Sequence, residues 1–298
     1  MAGYWWPAVS TIHTVGCLTN AELFNPGTGI WTNTAPLKTR RSSHAATLLQ
    51  NGQVLVAGGF DGTNYLNSAE IYDPAAGQWT LTAPMNQGRS QHTASLLADG
   101  SVLVVGGYAG SNSLAGAEVF NPATGLWTPV NPMNYDRRYH TATRLMDGTV
   151  LVVGGAGTNT TASASSAEIF NPATGNWTLT ESATNLWEYH TASLLPNGMV
   201  MVCGGITGNR VGLFDPVAGI WTTNSAWMNI YRQSHTATVL PGGRVLVVGG
   251  VHGTPTSGVE MYDYASGTWT TTAVAGFASS SSNMTLLTNG WLWWTVAQ

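Results

Sequence analysis

Short apolar runs alternate with glycine-rich turns along almost the whole chain. Val102 to Val105 is apolar at every position, whereas Ala117 to Asn121 alternates, and neither run exceeds five residues. An unbroken short run predicts a strand covered on both faces, and alternation predicts one with a single wet face. His92 to Leu97, rich in Thr, Ala and Leu, predicts a strand just before them. Asp99-Gly100 then reads as a two-residue hairpin turn with positive φ at both positions. Gly106-Gly107 ends the apolar strand where neighbouring backbone leaves no room for a Cβ, and Pro122 to Gly125 turns the chain into a fourth strand at Trp127. One unit is thus four strands, a to d.

That unit recurs. His44, His92, His140, His190 and His235 are spaced by 48, 48, 50 and 45 residues, and a Gly-Gly pair begins fourteen residues after each. An indole closes every period, at Trp31, Trp79, Trp127, Trp177, Trp221 and Trp269. A period near fifty residues with four strands predicts stacking of sheets that cannot bury their faces alone. The a–b turns number six, from Asn51-Gly52 to Asn289-Gly290, and the c–d turns also number six, from Pro26–Gly29 to Tyr264–Gly267. Because the series opens on a c–d turn and closes on an a–b turn, five blades are continuous and the sixth is split between the ends. The expected fold class is all-β, a six-bladed propeller of four antiparallel strands per blade filling residues 1–298 as one domain. The blades fall at about 41–80, 89–128, 137–178, 187–222 and 232–270, with about 12–32 plus 279–298 forming the split one. In the competing reading, Ile12 to Cys17 is a degenerate strand b that vies with Trp291 to Val296, leaving a surplus half-blade.

Composition narrows the partners. Net charge is −4, and of ten basic residues only Lys38 is a lysine, with no basic stripe to neutralise a phosphate backbone, so nucleic acid is not an expected partner. No apolar run approaches the roughly 20 residues needed to cross a bilayer as a helix, so no membrane insertion is expected. Met1 to Ser10 has no basic residue and no continuous apolar core, and does not read as a secretory signal. Cys17 and Cys203 both sit in strand-like contexts, where a buried thiol is the expectation.

The order His, hairpin Gly, Gly-Gly, Glu-x-Tyr/Phe-Asp/Asn-Pro and Gly-x-Trp resembles the Kelch repeat, in the glycine-rich bacterial form and in the propeller of galactose oxidase. The resemblance covers about residues 12–298. Two repeats depart from it. In the fourth, Gly212 replaces the strand-c Glu and Trp187 replaces the Arg three before the His; in the sixth, Ser282 stands at the His position and the Gly-Gly pair is lost. The resemblance implies peptide binding on the face that carries the long d–a and b–c loops. It also implies the inner place of strand a, which sets His44, His92, His140, His190 and His235 around a central channel. These five are expected to join neighbouring blades rather than hold a metal, and no metal or cofactor is expected.

Residues that break the repeat, or flank that channel, are the candidate ligand contacts: Arg40, Arg41, Arg89, Asp136, Arg137, Arg138, Tyr139, Trp187, Glu188, Tyr189 and Arg232. Arg and aromatic side chains dominate binding hot spots. The expected function is a non-enzymatic, monomeric recognition module for a peptide, protein or glycan. The alternative is a galactose-oxidase-like copper enzyme, since the Tyr-His steps at Tyr139 and Tyr189 are similar to one that ligates copper in that family. That family also needs a cysteine just before a repeat His, where this chain has Ser43, Gln91, Tyr139, Tyr189 and Ser234.

Overall fold

The computed structural model describes residues 17–25, 27–183, 185–223, 226–272, 278, 282–286 and 292–296. Its contacts form two compact units, residues 1–138 with 174–176, and residues 139–173 with 177–298.

The first unit opens with a hairpin, β1 (Glu22–Asn25) and β2 (Ile30–Asn33). The first blade follows as β3 (Ala45–Leu48), β4 (Val54–Ala57), β5 (Ala69–Asp73) and β6 (Gln78–Leu81). The second is β7 (Thr93–Leu96), β8 (Val102–Val105), β9 (Ala117–Asn121) and β10 (Leu126–Val130). In the second unit the third blade is β11 (Thr141–Arg144), β12 (Val150–Val153), β13 (Ala167–Asn171) and β14 (Asn176–Leu179), with a helix α1 (Thr160–Ser165) in its b–c loop. The fourth is β15 (Thr191–Leu194), β16 (Val200–Cys203), β17 (Val211–Asp215) and β18 (Ile220–Thr223). The fifth pairs β19 (Thr236–Val239), β20 (Val245–Val248), β23 (Val259–Asp263) and β24 (Thr268–Thr271), and a small ribbon, β21 (Val251–His252) with β22 (Thr254–Pro255), rises from its b–c loop. A last hairpin joins β25 (Ser282–Leu286) to β26 (Leu292–Val296).

Every blade runs a-b-c-d with antiparallel neighbours. First strands lie side by side, β3 beside β7 in one unit and β11, β15, β19 and β25 in succession in the other. β25 thus continues the series of first strands, while β1–β2 ends in the Gly-x-Trp of a c–d pair, so each hairpin carries the pattern of half a blade. The fold class is all-β, a six-bladed propeller.

The strand-b pattern explains the packing. β4, β8, β12 and β16 are buried at every residue, because period-two alternation sends adjacent side chains to opposite neighbours. Leu55 and Ala57 of the first blade meet Val102, Val104 and Phe120 of the second, while Val54 and Val56 meet Ala21 and Leu23 from the other side. Leu151 and Val153 likewise meet Val200, Val202 and Phe214. The repeated indole pairs across c and d with Phe or Tyr, from Phe24–Trp31 at 5.2 Å to Phe120–Trp127 at 4.9 Å, always tilted by 42–50°. Such contacts contribute about 0.5–1.5 kcal/mol beyond burial.

One local expectation is corrected. The described a–b turns are not two-residue hairpins. Leu97 and Ser101 form the closing pair around Ala98, Asp99 and Gly100, and only the glycine has positive φ, at 87°. A three-residue loop ending in a left-handed glycine replaces the two-residue turn because the Asp99 carboxylate accepts from Ser101 N–H and Oγ–H, holding Asp99 in ordinary backbone geometry. The loop at 156–166 also contains α1, whose first turn is capped by Asn159 accepting from Ala162 N–H. Residues 12–16 and the Asn289-Gly290 turn lie outside the described residues.

Candidate functional site

An arginine stands three residues before four of the five repeat histidines. Arg41, Arg89, Arg137 and Arg232 are buried. Arg89 donates through Nη1 to the Gly106 and Gly116 carbonyls and through Nη2 to Glu118 at 2.9 Å. Arg41 does the same with Gly58, Ser68 and Glu70, and Arg232 with Gly249, Gly258 and Glu260. Each carboxylate also accepts backbone N–H bonds from the preceding d–a loop, as Glu70 does from Lys38 and Thr39 and Glu260 from Asn229 and Ile230. One buried pair therefore ties both ends of a b–c loop to a d–a loop. Burial lowers the pKa of Arg41, Arg89 and Arg232, and the charge and hydrogen bonds of their glutamates oppose it. The reading of these four arginines as ligand contacts is corrected: all four are enclosed, and in Arg41, Arg89 and Arg232 carbonyls and a carboxylate use up the outer nitrogens.

The histidines wedge between adjacent blades. A Cβ on Gly58 would lie 2.7 Å from His92 Cε1 and one on Gly204 only 2.3 Å from His235 Cε1, so in these two pairs the first glycine makes room for the next blade's imidazole. His190 Nε2 meets Thr141 Oγ1 at 2.9 Å and His235 Nε2 meets Thr191 Oγ1 at 2.8 Å, each a threonine that follows the previous blade's histidine. Burial, with the nearby arginine, holds His44, His92 and His235 at pKa values of about 3. Opposite His92 the equivalent residue is Ala45, and Nε2 of His92 finds no hydrogen-bond partner among the described residues, the Ala57 carbonyl being near but out of hydrogen-bond geometry. Ala45→Thr should supply that hydroxyl and raise stability by about 1 kcal/mol. Thermal melts of Ala45→Thr beside Ala45→Val check it, because the valine adds volume without the oxygen.

Sequence reading did not foresee the conformation just ahead of each histidine. Ser43, Gln91, Tyr139, Tyr189 and Ser234 all have left-handed backbones, φ 50–56°. The twist turns their N–H sideways, so Gln91 donates to Ser43 O and Ser234 to Tyr189 O. A bulky side chain there is costly, of order 1 kcal/mol. Three blades use Ser or Gln; two use Tyr.

Trp187 is also corrected. It is 1% exposed, and its Cζ2 would lie 3.0 Å from a Cβ on Gly212, so the indole occupies space that in other blades holds the Arg–Glu pair. The two departures of the fourth repeat are one coupled replacement, a ring for two ionic side chains.

The remaining candidates stay at the surface. In the first unit Arg40 is exposed, Asp136 and Arg138 are half-buried, and Arg138 stacks 4.4 Å above Tyr108. Tyr108 meets Tyr65 edge-on at 5.4 Å and Tyr65 meets Phe60 at 5.0 Å. In the second unit Glu188 is half-buried and the Tyr139 and Tyr189 rings lie 4.4 Å apart at 33°. Tyr231 with His252, and Arg210 over Trp227 at 4.1 Å, add exposed aromatic surface. Phe60, Tyr65, Tyr108, Tyr231 and Trp227 escaped the sequence reading because loop lengths vary there; an aromatic directly after the glycine pair, at Phe60 and Tyr108, was the available signal.

The cysteine that the copper reading needs has no counterpart at the repeat positions. Cys203 lies on β16, buried, its thiol pushed up to about 11 by desolvation, and no cysteine precedes a repeat histidine. Among the described residues no three His, Cys, Asp or Glu side chains converge, and His190 and His235 are each directed to a neighbouring threonine. No helix among the described residues is long and apolar enough to cross a membrane.

Comparison with known proteins agrees with this architecture. A copper-bound structure described as a novel fungal alcohol oxidase with catalytic diversity among the AA5 family superposes with a TM-score of 0.74 at 19% identity, over 95% of this chain. The chain spans only 63% of that structure, and at this identity the likeness concerns the fold alone. No curated protein matches the sequence. The model of the Kelch motif matches residues 234–273, and that of the KLHDC2/KLHL20/DRC7 Kelch-repeats domain matches residues 13–205. With more than half its length under that one model, and with the blade-by-blade register of glutamate, glycine pair and indole, the chain belongs to the Kelch-repeat family.

Proposed function

We propose that the chain is a non-enzymatic recognition module, and that the Tyr139–Tyr189 pair is the centre of its contact with a peptide or protein loop. The Kelch repeats support a protein-interaction module. The observation that carries the finer reading is the left-handed backbone at both tyrosines. Architecture asks only for a residue with φ near 50°, and Ser43 and Ser234 meet that demand with far less steric conflict. Two bulky rings kept in a strained conformation, half-buried and 4.4 Å apart, favour a use outside the fold.

Tyr139→Ser and Tyr189→Ser reproduce what other blades carry, so thermal stability should stay within a degree or two of the parent. Binding to a peptide selected on the parent from a random linear library should fall by roughly 30-fold per substitution, the weight of a hot-spot aromatic. Peptides that bind both variants as well as the parent would move the site elsewhere. Selective recognition on a glycan array, lost in the same variants, would keep the site and replace the ligand class.

A further inference from the structure

The Arg–His steps leave complementary polar atoms enclosed. In the first, second and fifth blades the arginine's outer nitrogens are used on carbonyls and a glutamate, while Nε–H of Arg41, Arg89 and Arg232 is buried with no protein partner among the described residues. Three residues on, Nδ1 of His44, His92 and His235 is buried in the same way. Arg41, Arg89 and Arg232 are at most 1% exposed, and His92 and His235 are 7% and 6% exposed. In each case the two side chains leave the backbone side by side: a Cβ on Gly59 would lie 3.2 Å from Arg41 Cβ and 3.0 Å from His44 Cβ, and Gly107 and Gly250 stand in the same relation to Arg89 with His92 and to Arg232 with His235. In the fourth blade, where Trp187 takes the arginine's place, its indole Nε1–H is again a buried donor without a protein partner.

We propose that each of these three Arg–His steps is an internal water site. One water accepts from the arginine Nε–H and bonds to His Nδ1, so that the repeat is completed by bound solvent. Native folds rarely leave buried donors and acceptors unmet, and ordered water is the usual remedy where protein atoms do not reach. Recurrence argues for a built site: the same donor and acceptor, three residues apart, flank a left-handed residue at Ser43, Gln91 and Ser234. Water suits either imidazole tautomer, since it can donate to a bare Nδ1 or accept from a protonated one. A direct Arg–His bond serves only the first.

A crystal structure of the full chain at about 1.5 Å or better decides the matter. Expected is a water peak within about 3.2 Å of both Nε and Nδ1 in at least two of the three steps. A direct Nε–Nδ1 contact, or no peak between the atoms, in two or more steps overturns the proposal. In solution the Hε1 protons of His92 and His235 should show cross-relaxation with long-lived water, and its lack at both histidines overturns the proposal equally.

Discussion

Trp187→Ala is expected to destabilise the protein by about 3–5 kcal/mol, the range for emptying a buried aromatic site. The indole is enclosed against Gly212, Ala183, Leu151 and Val153, among others. A ligand-contacting tryptophan would instead cost affinity and leave the fold intact. The sharper form uses the coupling of the two departures. Trp187→Arg alone buries a guanidinium opposite a glycine, and Gly212→Glu alone drives a carboxylate into the indole; each should cost several kcal/mol. Together they restore the pair that other blades carry, as in Arg89–Glu118 at 2.9 Å. The double variant should therefore be more stable than the sum of the single changes by at least about 2 kcal/mol. Strict additivity in urea melts would show that the two positions do not share one site.

Acidification should weaken the fold well before carboxylates titrate. His44, His92 and His235 have folded pKa values near 3 against an ordinary 6.5, chiefly through burial. The folded state holds them neutral while the unfolded chain takes up protons below 6.5, so stability is complete above that pH and is lost as pH falls towards 3. Each fully shifted histidine contributes a slope of about 1.4 kcal/mol per pH unit. Between pH 6.5 and 5, over which the slope rises from half its full value, His92 and His235 together should cost about 3 kcal/mol, with His44, which keeps some exposure, adding less. Asp61, Asp73 and Asp99 have lowered pKa values through backbone and side-chain hydrogen bonds, so their effect begins only below about pH 4. Urea midpoints at pH 7.5, 6.5, 5.5 and 4.5 measure the slope. A flat profile to pH 4.5 would mean that the imidazoles are not enclosed as neutral groups.

The Arg and Trp residues show where reading the chain stops short. Arg89 and Arg138 look alike in sequence, each a cation near a repeat histidine, yet one is buried in an ion pair and the other lies on the Tyr108 ring. The difference is set by Glu118, Gly106 and Gly116, which arrive from strands and loops further along the chain. Trp187 looked like an irregular surface aromatic for the same reason, because its complement, Gly212, is a missing side chain 25 positions later. The left-handed residues before the histidines were invisible too, since Ser, Gln and Tyr carry no local mark of positive φ.

By itself the sequence determined the strands, their order within a blade, the number of blades and the family, because these follow from period-two burial, turn chemistry and a unit repeated along the chain. Tertiary structure alone decided which charged and aromatic groups are spent holding blades together and which reach solvent. That choice depends on partners brought close by folding from distant segments, and a burial that one residue's neighbours in sequence do not encode.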